Sequence, residues 1–452
     1  MIVSKRLLRA ICLVVGLLCL LYGGSAYIFS VYTNSIKKKY GYTQSEIGII
    51  SGFGNVGATF AFPPGMMMDK VGPRVTAFIG IVFSTSGYLL LWSAANDPAF
   101  YTDKVWLVCL YLSLAYFSSI VSYMAALVTN MRNFRGPLFG TMVAVLETAY
   151  SLGSSIFIAI YGGLFVNGHV EDEENQDLGG FFLFMAITGS VVNGLGALFL
   201  GYYDTNEVVL PGQDDYENLD DVSGDFPEHD EDYDGEKEAV EDVTGLALIK
   251  NWDFQFLFWL FVMSSCEIIM FLTNIDVYLK SFGYEDKSTA FNLLVPIFAV
   301  ISKIVCGILS DKFIEKIPRA AYMLVTLIIE TGALTLCIFA SSNFYVLLFA
   351  TISVGIAYGA VWSISATLCG EYFGLKYFGK NWGAFVLANG ICSILLQQIF
   401  GAVYQAEIKL PGETFCYGTG CFSWSFAVAA VFAGSAALFN VGLIERRRRL
   451  KS

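Results

Sequence analysis

Apolar residues in this chain do not alternate with polar ones. They gather into long runs that recur at nearly regular intervals between short polar breaks. A run of about 20 residues, rising 1.5 Å per residue as a helix, crosses the roughly 30 Å hydrocarbon layer of a bilayer. Run length and polar breaks predict twelve such helices, over residues 7–32, 45–67, 74–95, 105–128, 138–165, 178–203, 252–278, 288–311, 319–341, 343–369, 380–405 and 422–444. Lys5, Arg6 and Arg9 precede the first run as they would in a signal peptide. That run is too long for an h-region, however, and YGGSAYIFS follows without a cleavage site, so it is read as a span.

Composition agrees. Of 452 residues, 56% are hydrophobic and 15% charged, and the mean hydropathy is +0.60. These values exclude a soluble enzyme, a nucleic-acid binder or a secreted disulfide scaffold as a reading of the whole chain. The net charge of -12 has a local source: from Asp204 to Asp242 there are seventeen Asp or Glu and one basic residue, Lys237. With almost no apolar content, this stretch cannot offset its ordering entropy and is expected to be a disordered, solvated loop. Within it, Tyr216 to Leu219 (YENL) has the form of a tyrosine-based sorting signal. The basic residues orient the chain. With both ends in the cytosol, nineteen of the 27 Lys and Arg fall on that side and seven on the other, leaving Lys303 inside the membrane.

The chain also repeats itself. Gly41-Tyr42, Gly65 and Asp69-Lys70 recur as Gly283-Tyr284, Gly307 and Asp311-Lys312, each offset by 242 residues. Duplicated halves are a common plan of transporters. The expected division is a six-helix bundle over residues 1–203, an acidic cytoplasmic loop over 204–250, a second six-helix bundle over 251–444 and a basic tail over 445–452. Eight cysteines lie in apolar stretches. Cys416 and Cys421 instead sit in a polar loop as CYGTGC, where a local disulfide is favoured over a metal site.

The segment GMMMDKVGPR, Gly65 to Arg74, resembles the G-x-L-a-D-r-x-G-r-r loop of the major facilitator superfamily, and GILSDKF at Gly307 is its echo. The resemblance implies an all-helical membrane fold of two pseudo-symmetric six-helix halves. It also implies a conformational latch at Gly65, Asp69, Lys70, Gly72 and Arg74 and again at Gly307, Asp311 and Lys312. Four further segments resemble the nodulin-like branch, which is related to monocarboxylate-transporter homologues: the opening YGGSAYIFSVYTNSIKKKYGYTQSEIGIISGFGNVG, the loop NFRGPLFG, and in the closing region EYFGLKYFGKNWG and CYGTGCFSWSF.

Ionisable residues near mid-bilayer cost about 2.5 to 3.5 kcal/mol each on insertion scales, so each is a functional candidate. By position these are Glu147, Glu267, Asp276, Lys303 and Glu330, with Asp276 close enough to a span end to be wet and Glu330 read as a structural partner. Lys303-x-x-x-Gly307 resembles the Arg-x-x-x-Gly of monocarboxylate transporters, whose cation binds the substrate carboxylate; the Asp those proteins carry four residues earlier is Ala299 here. Glu147 and Lys303 lie at nearly equal depth on spans five and eight, which face each other in that superfamily, so the two side chains are expected to meet. Glu267 is a second candidate proton site. Tyr27, Tyr116, Tyr123, Asn274, Tyr358 and Trp362 are candidate lining residues.

The expected function is secondary transport of a small organic anion by alternating access, with protons as coupling ion. The rival readings are an amino-acid or neutral-solute permease and a non-transporting membrane sensor. No nucleotide-binding motif occurs, so gradients and not ATP should drive flux. No cofactor, metal, nucleic acid or enzymatic chemistry is expected, and the membrane is the plasma or the vacuolar/lysosomal one.

Overall fold

The computed structural model describes residues 5–167, 176–203, 242–408 and 416–451. The expectations for the acidic stretch over 204–241, including Tyr216 to Leu219, fall outside the described residues. In hydrocarbon every backbone N–H and C=O must find a partner within its own segment, so apolar runs become helices. Among the described residues sixteen follow in order: α1 (Lys5–Gly23), α2 (Phe29–Tyr40), α3 (Gln44–Thr59), α4 (Phe62–Asn96), α5 (Pro98–Tyr101), α6 (Val105–Asn133), α7 (Phe139–Leu164), α8 (Leu178–Phe199), α9 (Leu246–Lys250), α10 (Trp252–Thr273), α11 (Ile275–Ser281), α12 (Ser288–Lys312), α13 (Arg319–Ala340), α14 (Phe344–Phe373), α15 (Phe378–Glu407) and α16 (Ser423–Lys451). Among the described residues there is no strand, only an isolated bridge between Val166 and Gln176.

Polar residues set where several helices begin. Thr43 and Glu46 form a capping box on α3, Asn251 accepts from the backbone of Asp253 at 2.8 Å on α10, and Asn343 accepts from Tyr345 at 3.0 Å on α14. Among the described residues eleven stretches are long and apolar enough to span, and one of them, Ser45–Asn96, has 52 residues. At 1.5 Å per residue that is more than twice a roughly 30 Å layer. It divides at Gly72, whose φ of 79° only glycine adopts cheaply and which Pro73 follows. Twelve crossings result.

The boundaries depart from the sequence pattern in three places. The first crossing does not run unbroken to residue 32. A 3-10 turn at Gly24–Tyr27 interrupts it and α2 continues to Tyr40; here Gly24 and Gly153 meet so closely that a Cβ on Gly24 would lie 2.1 Å from the Tyr150 carbonyl oxygen. The seventh crossing stops at Thr273 and not at 278, because Asn274 turns the chain while its amide exchanges hydrogen bonds of 2.9 and 3.1 Å with Gln397. The basic tail is no separate segment: α16 continues through it, with Arg446 and Arg447 at 2.8 and 2.9 Å from Asp253.

The two halves have the same local geometry where the sequence repeats. Gly41 and Gly283 have φ of 72° and 76°. The Tyr42 hydroxyl donates to the Tyr101 carbonyl at 2.7 Å, and that of Tyr284 to the Ser342 carbonyl at 3.0 Å. Within the first half α4 packs on α6 and α8; within the second α12 packs on α14 and α13 on α16; across the divide α4 meets α15 and α7 meets α12. One apolar core joins residues of both halves, such as Leu146 and Trp382, whereas two others belong each to one half. The shared core lies toward the face where α1 begins and α16 ends, and on that face Arg9 stacks over Phe134 and Arg447 over Tyr372. The halves therefore close on this face and part toward the other. Tyr203 and Asp242, which flank the acidic stretch, are tied to the same face through Asn133 and Lys376.

Gly153→Val should overpack the contact with the 3-10 turn at a cost of about 1 to 3 kcal/mol. A lowered thermal-unfolding midpoint of the detergent-solubilised protein is the expected result.

Candidate functional site

At the closed end of the cleft α7 and α12 bring Glu147 and Lys303 together. Both side chains are essentially inaccessible, Lys303 being 1% exposed. Lys303 Nζ lies 3.7 Å from Glu147 Oε2, too far for a hydrogen bond. It donates instead to the Glu147 carbonyl at 3.0 Å and to Ser151 Oγ at 2.6 Å. Glu147 accepts from the Tyr123 hydroxyl at 2.6 Å through Oε1, and Tyr123 accepts from Trp382 Nε1 at 2.9 Å, while Oε2 has no donor. The cation is thus held mostly by neutral acceptors, with its formal partner only loosely engaged.

Aromatic rings surround this pair. The Tyr358 ring lies 5.7 Å from Lys303 Nζ, within cation–π range. Tyr150 packs on Tyr123 at 4.6 Å and edge-on to Tyr27 at 6.0 Å. Trp362 stands 5.9 Å from Tyr358 and 6.2 Å from Trp382, its indole N–H buried without an acceptor. Tyr27, 48% exposed, is where this cage meets open space: with Ser30, Thr33, Ile47, Ser51 and Asn55 it lines a cavity of about 370 Å³.

Not every residue singled out from sequence joins the cage. Tyr116 is buried in the core of the first half, its hydroxyl 2.7 Å from that of Tyr32. Asn274 turns the chain beyond α10. Asp276 is exposed and accepts from Ser288 and Asn292. Glu267 lies deeper in the second half, side chain to side chain with Glu330. Conversely, Ser151, Tyr150 and Trp382 were not singled out. Ser151 had a signal, since it lies four residues after Glu147 and shares its helix face; Trp382 and Tyr150 had none, because aromatics abound here.

Below the cage, two carboxylates cross between the halves. Asp69 of the first half accepts from the backbone N–H groups of Gly379 and Lys380 at 3.1 and 2.7 Å, at the start of α15. Asp311 of the second accepts from Gly140 and Thr141 at 3.0 and 2.6 Å, at the start of α7. Each places a negative charge on the positive end of a helix. The glycines of the two motifs make room: a Cβ on Gly65 would lie 1.9 Å from the Gly379 carbonyl oxygen, and one on Gly307 2.6 Å from the Ala144 Cβ. Arg132 bridges Asp69 at 3.2 Å to the carbonyls of Leu375 and Lys376, and Arg319 holds Asp311 at 2.6 Å and Glu371 at 2.8 Å. Lys70 and Lys312 are exposed, Gly72 supplies the bend, and Arg74 donates to the Leu200 carbonyl of its own half at 3.3 Å. On the far face Cys416 and Cys421 form a disulfide between α15 and α16.

Replacing Asp69 and Asp311 together by Ala removes charge-assisted bonds worth about 1.5 to 3 kcal/mol each, enough to shift an open–closed equilibrium by tenfold or more. Spin labels at the exposed Arg135 and Lys316, one on each half, should report a longer mean distance in the double variant than in the parent.

The model of the Major Facilitator Superfamily matches residues 13–397. The protein named "Probable transporter MCH1" in Wickerhamomyces anomalus is 24% identical over 425 residues, covering 91% of this chain and 83% of that one. Its namesake in Neurospora crassa is 23% identical, covering 92% and 85%. Among solved structures, a bacterial homologue of the iron transporter ferroportin in its outward-facing state aligns with a TM-score of 0.66 at 13% identity over 97% of this chain and 99% of that one. The proton:xylose symporter XylE aligns with 0.63 at 13% over 96% of both. Matched carboxylate-to-helix contacts, duplicated halves and a family match over most of the length lead to one conclusion: this chain belongs to the major facilitator superfamily, an all-helical, multi-pass membrane protein of the secondary-transporter type.

Proposed function

We propose that this protein carries small organic anions, monocarboxylates in the first place, across its membrane by alternating access, using a proton gradient. The observation that carries the reading is Lys303, a buried cation at the closed end of the cleft whose hydrogen bonds go to a carbonyl and a hydroxyl. A desolvated ammonium held by neutral acceptors can exchange them for a carboxylate, which answers its charge better. The surrounding Tyr27, Tyr358 and Trp362 offer apolar faces for a short carbon chain, and the indole N–H of Trp362 is available to an acceptor. When an anion takes Lys303, Glu147 is left without its counter-charge, and a proton there would keep the site neutral; Glu267 is the other carboxyl suited to that task. Asp69 and Asp311 then act as the latch that holds the face of the termini shut until the halves rock.

The resemblance to the nodulin-like branch supports the anion reading, as does the Lys303-x-x-x-Gly307 pattern. Both termini are assigned to the cytosol in this proposal, on the basic-residue asymmetry and on the disulfide, which belongs on an oxidising side. The membrane is the plasma or the vacuolar/lysosomal one.

Uptake into proteoliposomes across a panel of short carboxylates and amino acids, with and without an inward proton gradient, tests this. Carboxylate uptake is expected, with Lys303→Ala lowering it at least about tenfold, in line with losing a charge-assisted bond. Uptake confined to amino acids or neutral solutes and indifferent to Lys303→Ala would establish the permease reading instead. A folded protein that moves nothing in the panel would point to a non-transporting role.

A further inference from the structure

Glu267 of α10 and Glu330 of α13 face each other inside the second half, away from the cleft between the halves. Both are fully inaccessible, and their carboxyls interact side chain to side chain. None of their four oxygens receives a hydrogen bond from any other group. The hydroxyl of Ser264, one turn before Glu267 on the same helix face, is likewise buried without a partner.

The composition of the enclosing helices makes this arrangement unusual. The helix α10 packs against α14, α15 and α16, and α13 against α12, α14 and α16. Within the membrane α16 has no ionisable residue from Ser423 to Ile444, α14 has only Tyr358 from Val346 to Leu368, and α15 has only Cys392 from Asn381 to Val403. On the two helices themselves the other titratable groups are Asp253 and Arg319 at the helix starts and, within the span, Cys266, Tyr322 and Cys337, and Tyr278 lies on α11 just beyond. The one base among them, Arg319, is engaged with Asp311 and Glu371. Lys303, on the neighbouring α12, is engaged with Glu147 and Ser151. Two carboxylates in contact, desolvated and without a cation, cannot both be ionised, because repulsion and lost hydration act together. One proton between them turns the repulsion into a hydrogen bond.

We propose that Glu267 and Glu330 form a proton-binding site that holds one proton at neutral pH, binds a second as the pH falls, and is the place where a proton gradient acts on this protein. The coupling half of this proposal rests on the proton-driven reading above; the proton occupancy does not. A contiguous path leads from the pair to the cage. Glu267 shares α10 with Phe261, whose ring packs at 5.1 Å on Trp362 and 5.0 Å on Trp382. Trp382 in turn donates to Tyr123, which donates to Glu147. Because α10 ends in the turn at Asn274, a change in how tightly Glu267 is held to α13 has a break at which the helix can swing, and Phe261 moves with it.

The test is infrared difference spectroscopy of the nanodisc-embedded protein, wild type minus the double variant Glu267→Gln, Glu330→Gln, across a pH series. Gln keeps the size and hydrogen-bonding capacity of the pair, and a matching thermal melt and far-UV circular dichroism spectrum identify a folded variant; each single Gln variant serves in its place if the double does not fold. The difference spectrum should contain the carbonyl stretch of one protonated carboxyl at neutral pH and a second as the pH falls. Bands of ionised carboxylate alone at neutral pH would overturn the site. For coupling, pyruvate is the probe: stimulation of its uptake by an inward proton gradient should fall about tenfold in the double variant, the size of an ordinary coupling free energy. Undiminished stimulation would move coupling to Glu147 and overturn that half of the proposal. Absence of pyruvate uptake in the wild type would instead count against monocarboxylate transport, with the infrared result still deciding the site.

Discussion

Asp69 and Asp311 each reach out of one half of the molecule to the first backbone N–H groups of a helix in the other. These crossed contacts, with the bonds of Lys303, Trp382 and Arg132, hold the two bundles together by directed bonds as well as by packing. A carboxylate on a helix N-terminus is a strong interaction in a confined, poorly hydrated place, yet it has no covalent or apolar commitment, so it can be made and broken as a unit. Glycines at 65 and 307 allow the backbones to come close enough for it. With that face shut, the cleft opens on the other side and ends at Lys303.

The cage above the latch follows a different logic. A lysine and a glutamate taken out of water repay their desolvation only when geometry is close, and at 3.7 Å these two are not closely paired. The ammonium makes up the difference with a carbonyl, a hydroxyl and an aromatic face. Such an arrangement satisfies the ammonium without committing it to a close ion pair. The contact joins α7 of one half to α12 of the other, so it is part of the interface between the halves.

Much of this was legible from composition and spacing. Run length revealed the crossings because the bilayer has one thickness and a helix one rise per residue. The repeat at an offset of 242 marked the halves, and in both copies it falls on the same glycine bend and the same tyrosine hydroxyl bond. The depth argument brought Glu147 opposite Lys303 because both helices could be counted from the same face. Where the reading missed, the cause was an interaction at long range. The break at Gly24–Tyr27 comes from contact with Gly153, and the turn at Asn274 from exchange with Gln397. Arg132 and Arg319 looked like ordinary charges at the ends of spans, and the fold sets them on Asp69 and Asp311, with Glu371 on Arg319.

The amino-acid sequence alone therefore determined that the chain lives in a bilayer, how many times it crosses, that it is doubled, and which charges are out of place there. These are properties of single helices in a uniform apolar solvent, and each can be summed along the chain. What it could not determine is which of those charges answer one another. Glu330 read as a structural partner and Glu267 as a second candidate proton site; only the folding of α10 and α13 around the helices they share puts the two side chains together, far apart in sequence. Rotation of a helix about its axis decides such meetings. That rotation is fixed by the sum of many small apolar contacts with its neighbours, not by any residue that a single span displays.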